Sequence, residues 1–65
     1  MHADINGALA AIDKSWRTFI HRGKPMTKAQ VLAVLSYAKK VGYDSTAELK
    51  DEEVDDIIDK VNRRT

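Results

Sequence analysis

Apolar residues recur along this chain at intervals of three and four, and no segment alternates apolar with polar at period two. That spacing is the signature of amphipathic helices with one face turned inward. The first stripe is Ile5, Ala8, Leu9, Ile12, Trp16, Phe19 and Ile20. At 100° per residue these positions share an arc of about 120°, which predicts a helix over about Ile5 to His21. Asp4 is placed to cap its start, because a carboxylate there can accept orphan backbone N–H groups of the first turn. Gly23 is placed to end it by turning left-handed.

The second stripe follows the clearest local signal in the chain. Thr27 and Gln30 have the spacing of a capping box, and Met26 and Val31 that of a hydrophobic staple. A helix over about Thr27 to Val41 is expected, with Gly42 just past its end and Tyr43 folding back on Ala38. Its apolar set, Val31, Leu32, Val34, Leu35, Tyr37, Ala38 and Val41, covers about 220°. Either this helix is central and covered on two sides, or Leu32 and Tyr37, at the edges of the arc, belong to a surface meant for a partner.

A third stripe, Val54, Ile57, Ile58 and Val61, spans about 100° and predicts a helix over about Asp51 to Asn62. Asp51, Glu52 and Glu53 sit in its first turn, and Arg63 and Arg64 follow its last, as the helix dipole favours. Leu49 can staple to Val54, although Lys50 is a poor capping residue. Ser45 and Glu48 form a second possible capping box. Because Leu49 lies off the stripe begun by Val54, a separate short turn at Ser45–Glu48 is preferred to one long helix. No hairpin signal separates apolar runs. The expected fold is therefore all-α: a single domain over residues 1–65, built as a three-helix bundle with helices at about 5–21, 27–41 and 51–62.

Length makes this picture stringent. A chain of 65 residues buries only about 60% of its unfolded surface, so stability is thin. Cysteine is absent, which removes disulfides and thiolate chemistry. Neither a signal peptide nor an apolar run of the roughly 20 residues needed to span a bilayer is visible, and a cytoplasmic location without membrane contact is expected.

Charge divides the chain. From Asp13 to Tyr43 one acid, Asp13, faces seven bases: Lys14, Arg17, Arg22, Lys24, Lys28, Lys39 and Lys40. From Asp44 to Asp59 eight acids face Lys50 alone, although the net charge of the chain is only +1. Asymmetry of this kind bears on partners and not on fold.

The stretch Leu49-Lys-Asp-Glu-Glu-Val-Asp-Asp-Ile-Ile resembles the entering helix of a calmodulin-type EF-hand. Met26-Thr-Lys-Ala-Gln-Val resembles the end of such a loop and the start of its exiting helix. The resemblance covers part of the chain and rests on caps and core spacing; it implies a helical pair of similar layout. Calcium takes six to eight oxygen ligands, whereas His21-Arg22-Gly23-Lys24-Pro25 stands where the acidic donors belong. A second registration places Asp44, Thr46 and Glu53 at ligand-like spacings. It puts Gly42 at the first acid and Ala47 at the turn glycine.

Candidate chemistry is sparse. His2 and His21 have no histidine or cysteine at i+3 or i+4, which leaves no zinc spacing. His21 is expected as a solvated residue at a helix end. Trp16 lies on the inward stripe and is read as core rather than as a stacking platform. The acids of the third helix, with Asp55, Asp56 and Asp59 on its polar face, read as solvated or as a docking surface for a basic partner. Lys14, Arg17, Arg22, Lys24 and Lys28 offer an alternative surface that would neutralise phosphates. There is no nucleophile–base pair, glycine-rich phosphate loop or metal cluster.

The expected function is a non-enzymatic protein-interaction module, an accessory, adaptor or regulator without cofactor or metal. It would bind a protein partner, or a second copy of itself, through Leu32, Tyr37, Asp55, Asp56 and Asp59. The alternative is a nucleic-acid-binding module using the five bases just named.

Overall fold

Two well-capped helices form the frame. In the computed structural model, which describes residues 3–64, α3 runs from Lys28 to Val41 and α4 from Asp51 to Arg63. The four elements before α3 are α1 (Ile5–Ala10), α2 (Ile12–Ser15) and an antiparallel pair, β1 (Ile20–His21) and β2 (Lys24–Pro25). Short 3-10 turns cover Trp16–Thr18 and Thr46–Glu48. The chain is mostly helical, but among the described residues it has four helices and a two-stranded sheet where a plain three-helix bundle was expected.

The helix begun by Thr27 forms as its caps dictate. Thr27 Oγ1 accepts from Gln30 N (3.2 Å) and Gln30 Oε1 accepts from Thr27 N (3.0 Å), so the capping box is closed on both sides. Met26 and Val31 both lie in the core. At the other end Gly42 adopts φ 91°, Gly42 N donates to Lys39 O, and Tyr43 N donates to Ala38 O at 2.8 Å. This is a Schellman ending, which satisfies carbonyls the helix leaves orphaned. Helix α3 is the central element: Val31, Val34, Leu35 and Ala38 are buried, against α1 on one side and α4 on the other.

The linker to α4 also follows local rules. Ser45 Oγ accepts from Ala47 N, and Glu48 Oε2 accepts from Ser45 N. The turn Thr46–Glu48 is thus separate from α4, and Leu49 between them is extended. One contact here had no local signal. Thr46 N donates to Ala3 O, Ala3 N to Thr46 Oγ1, and Ile5 N to Asp44 O. The start of the chain is laced to the α3–α4 linker, and Ile5 is driven into the core at its head.

The expected first helix, 5–21, is corrected. Ala11 leaves helical geometry at φ −109°, ψ 26° and separates α1 from α2. The hydroxyl of Ser15 takes up the Ala8 carbonyl at 2.8 Å, and that of Thr18 takes the Ser15 carbonyl at 2.7 Å. Side chains thus supply partners that a continuous helix would supply from its backbone. From Phe19 the backbone is extended, and successive side chains point to opposite sides. Phe19 is 8% exposed, Ile20 65%, and the His21 side chain 12%. Ile20 therefore leaves the inward stripe to which helical counting assigned it.

Gly23, expected as a helix ending, is instead the second residue of a hairpin turn. Arg22 (φ 52°) and Gly23 (φ 76°) are both left-handed and link His21 to its partner Lys24. Two left-handed residues make a turn whose twist matches that of the strands it joins. Glycine adopts this conformation freely, whereas Arg22 does so at a cost of roughly 1–2 kcal/mol. What holds Arg22 there is its contact with α4.

Candidate functional site

The acids of α4 meet the bases of the hairpin. Arg22 grips Asp55 with two nitrogens: Nε lies 3.0 Å from Oδ1 and Nη2 lies 2.8 Å from Oδ2. His21 Nε2 is 2.6 Å from the same Oδ1, and His21 Nδ1 approaches Asp51 Oδ1 at 3.9 Å. Asp55 lies one turn after Asp51, so both carboxylates project from one side of α4 toward the hairpin. The hydrogen bond from Arg22, followed by that from His21, pulls the Asp55 carboxyl down to about 2. Asp55 in turn raises the already high value of Arg22. His21 was expected as a solvated helix-end residue; that reading is corrected, because it sits in a strand with both ring nitrogens facing carboxylates. Through these contacts His21 and Arg22 join the hairpin to α4.

A second carboxylate, Glu53 in the first turn of α4, ties that helix to Tyr37 of α3 and to Tyr43. Glu53 Oε1 accepts from Lys50 N at 3.0 Å, which caps the helix where Lys50 itself cannot. Glu53 Oε2 accepts from Tyr37 OH (2.7 Å) and Tyr43 OH (2.9 Å). The two rings meet edge to face with centroids 6.4 Å apart. The backbone bond from Lys50 and then the Tyr37 hydroxyl hold the Glu53 carboxyl below its ordinary value. The same contacts raise both tyrosines, chiefly through their hydrogen bonds to Glu53. Tyr37 is therefore not a free edge of α3: it is half-buried and tied to α4.

Beside the hairpin, bordered by His21 and Asp51, lies a surface groove of about 280 Å³. Its floor is apolar: Phe19, Met26 and Val34, with Leu49 and Val54 from the linker and the first turn of α4. Ile20, His21, Thr46, Ala47 and Asp51 also line it, and Ile20 is the most exposed large apolar residue described in the chain. A second hollow, about 450 Å³, is lined by Pro25, Met26 and Ile58 together with charged and polar residues, among them Arg22, Asp55, Asp59 and Asn62. Comparison of the chain with family models, curated proteins and solved structures finds no match. The reading of the groove therefore rests on its own geometry.

The other residues singled out in the sequence are scattered. Leu32 is exposed on α3, and nine positions further on Val41 is also exposed; at 100° per residue the two point in roughly opposite directions. Asp56 is exposed, and Asp59 pairs with Arg63 at 2.9 Å one turn away. Of the five bases proposed for phosphate contact, Arg22 is committed to Asp55 and Lys28 to Asp13. The Arg17 guanidinium lies 5.2 Å from the centre of the half-buried Trp16 ring. Lys14 and Lys24 are exposed and form no ion pair among the described residues. The structure thus joins one member of the basic set to one of the acidic set, Arg22 to Asp55, and leaves no single patch made of either.

His2 lies outside the described residues. In the two stretches that resemble an EF-hand, residues 21–25 are a tight hairpin, and the side chains of Thr46 and Glu53 already accept backbone N–H groups. Among the described residues no group of three or more His, Cys, Asp or Glu is placed to hold a metal ion. None of the helices is long and apolar enough to cross a membrane.

The groove and the Glu53 tie were both missed from sequence. A signal for the tie existed: Lys50 and Glu53 have capping-box spacing with the wrong residue at the cap. For the groove the signal was Gly23 standing between Ile20 and Pro25, which helical counting masked.

Proposed function

We propose that this chain is a cytoplasmic, non-enzymatic protein-interaction module, and that the groove between the β1–β2 hairpin and the first turn of α4 is where it engages its partner. One observation carries the reading: Ile20 stands 65% exposed at the lip of a groove floored by five core-facing apolar side chains. Exposed apolar surface of this kind, bordered by charge, marks interaction sites. It shifts the expected interface away from Tyr37 and Asp55, which hold the molecule together, while Leu32 stays outside the groove. The nucleic-acid reading is weakened because Arg22 and Lys28 are committed to carboxylates, and each lost phosphate contact reduces affinity and its salt dependence.

The test is site-specific photocrosslinking in the cells that make the protein, with a photoreactive amino acid at Ile20 and, as control, at Lys60 on the far part of α4. Discrete protein adducts at Ile20 that survive nuclease and are lacking at Lys60 are expected. Adducts of equal yield at both positions, or adducts abolished by nuclease, would contradict the reading.

A further inference from the structure

Resting on that reading, we infer that the groove takes a short segment of a partner protein carrying a bulky apolar side chain beside lysine or arginine. The apolar requirement follows from Ile20 at the lip and from Phe19, Met26 and Leu49 on the floor. An occupant that brings an apolar side chain gains by removing it and the exposed Ile20 from water together.

The charge requirement follows from the wall. Five of the first six residues of α4 are acids, and no base follows until Lys60. Of these acids, Asp55 and Glu53 are fully engaged within the molecule. Asp51 lines the groove with its side chain 69% exposed, and its one ionic contact among the described residues is the 3.9 Å approach of His21. In the hairpin, the Arg22 guanidinium is turned onto Asp55 and Lys24 lines the second hollow rather than the groove. What faces an incoming segment is therefore the exposed Asp51 carboxylate beside an apolar trough, which selects a cationic neighbour for the apolar anchor.

A second copy of this chain is the less suitable occupant. A stable interface buries about 800 Å² on each side, a large share of a total surface of 4594 Å². The exposed apolar residues Ile20, Leu32 and Val41 do not share a face that could supply it. A short segment needs the groove alone.

The experiment uses the full chain and short fluorescein-labelled peptides. Each carries one Leu, Phe or Trp anchor and a nearby Lys-Arg pair, with a matched set in which Glu-Glu replaces Lys-Arg. Anisotropy gives affinity, and amide NMR shifts give the site. The basic set is expected to bind and to shift residues 20, 21, 46, 47, 49 and 51. Ile20→Ser should weaken it about tenfold or more through lost apolar burial, and Asp51→Asn about two- to fivefold as for an exposed ion pair. Both positions are exposed, so the variants should fold, and their NMR spectra verify it. The inference is overturned if neither set binds, if the acidic set binds equally well, or if shifts map elsewhere. Shifts of the groove residues with chain concentration alone would assign the groove to self-association and overturn it too. Crosslinks at Ile20 together with peptides that show no charge preference would leave the interaction module standing and remove only its specificity for a cationic partner.

Discussion

The second half of this molecule, α3 to α4, and the first half, α1 through the hairpin, are written in different ways. In the second half the local devices agree with the hydrophobic period, Lys50 at the cap of α4 excepted. The Thr27–Gln30 box starts a helix, Gly42 stops it, Ser45 and Glu48 set a turn, and Val54 restarts the stripe. In the first half the stripe runs on past the point where the backbone stops being helical. Ala11, Ser15 and Thr18 break the helix one step at a time, and Phe19 and Ile20 then take opposite sides. A helical period survives in the sequence there because Phe19 is inward under either geometry. Only Ile20 distinguishes them, and distant contacts with Asp55 decide the outcome.

The comparison is broken most sharply by a pair of substitutions. Phe19→Ala should cost about 3–5 kcal/mol, as for a large core side chain. Against a net stability of about 3–10 kcal/mol for a chain of this length, that is a large fraction of the whole, read as a strongly lowered midpoint in urea titrations. Ile20→Ser should stay within about 0.5 kcal/mol of the parent, as an exposed position does. A large loss at Ile20 would restore the long helix. A smaller effect sharpens the contrast: Gly23→Ala and Gly42→Ala place an alanine at φ 76° and 91° and should each cost roughly 1–2 kcal/mol. Equal losses in urea midpoint would show that the hairpin turn is as firmly required as the helix ending.

The subtlest effect is acid sensitivity. Asp55 in the folded chain lies near 2, below its ordinary 3.8, because Arg22 and His21 favour the carboxylate. A depressed folded value means that its contribution is complete above about pH 4. It is lost as pH falls through about 2. Protection of the hairpin amides should fade over that window, and Asp55→Asn should remove the pH step. A carboxyl titration of Asp55 centred near 3.8 would deny the clasp.

Much of the fold was legible because capping and period-3.6 patterning act within a few residues. Helix α3, the 46–48 turn and α4 all depend on neighbours of that kind. The hairpin was not legible: a left-handed arginine is disfavoured locally, and its turn is held by a partner 33 residues away. The lacing of Ala3 to Thr46 is more distant still. Candidate residues fared by the same rule. Leu32 is exposed as its place on the arc allowed, but Tyr37 and Asp55 are absorbed into ties that need the assembled structure to be seen. His21 changed role altogether once its neighbour was an acid on another helix.

The groove exists only if residues 20–25 form a hairpin clasped to α4, and backbone NMR tests this most directly. Cross-strand contacts between residues 20–21 and 24–25, with a protected Met26 amide bonded to the Phe19 carbonyl, are the expected result. An unbroken run of sequential amide–amide contacts from Trp16 through His21 would mean a continuous helix, and with it no lip, no groove and no site.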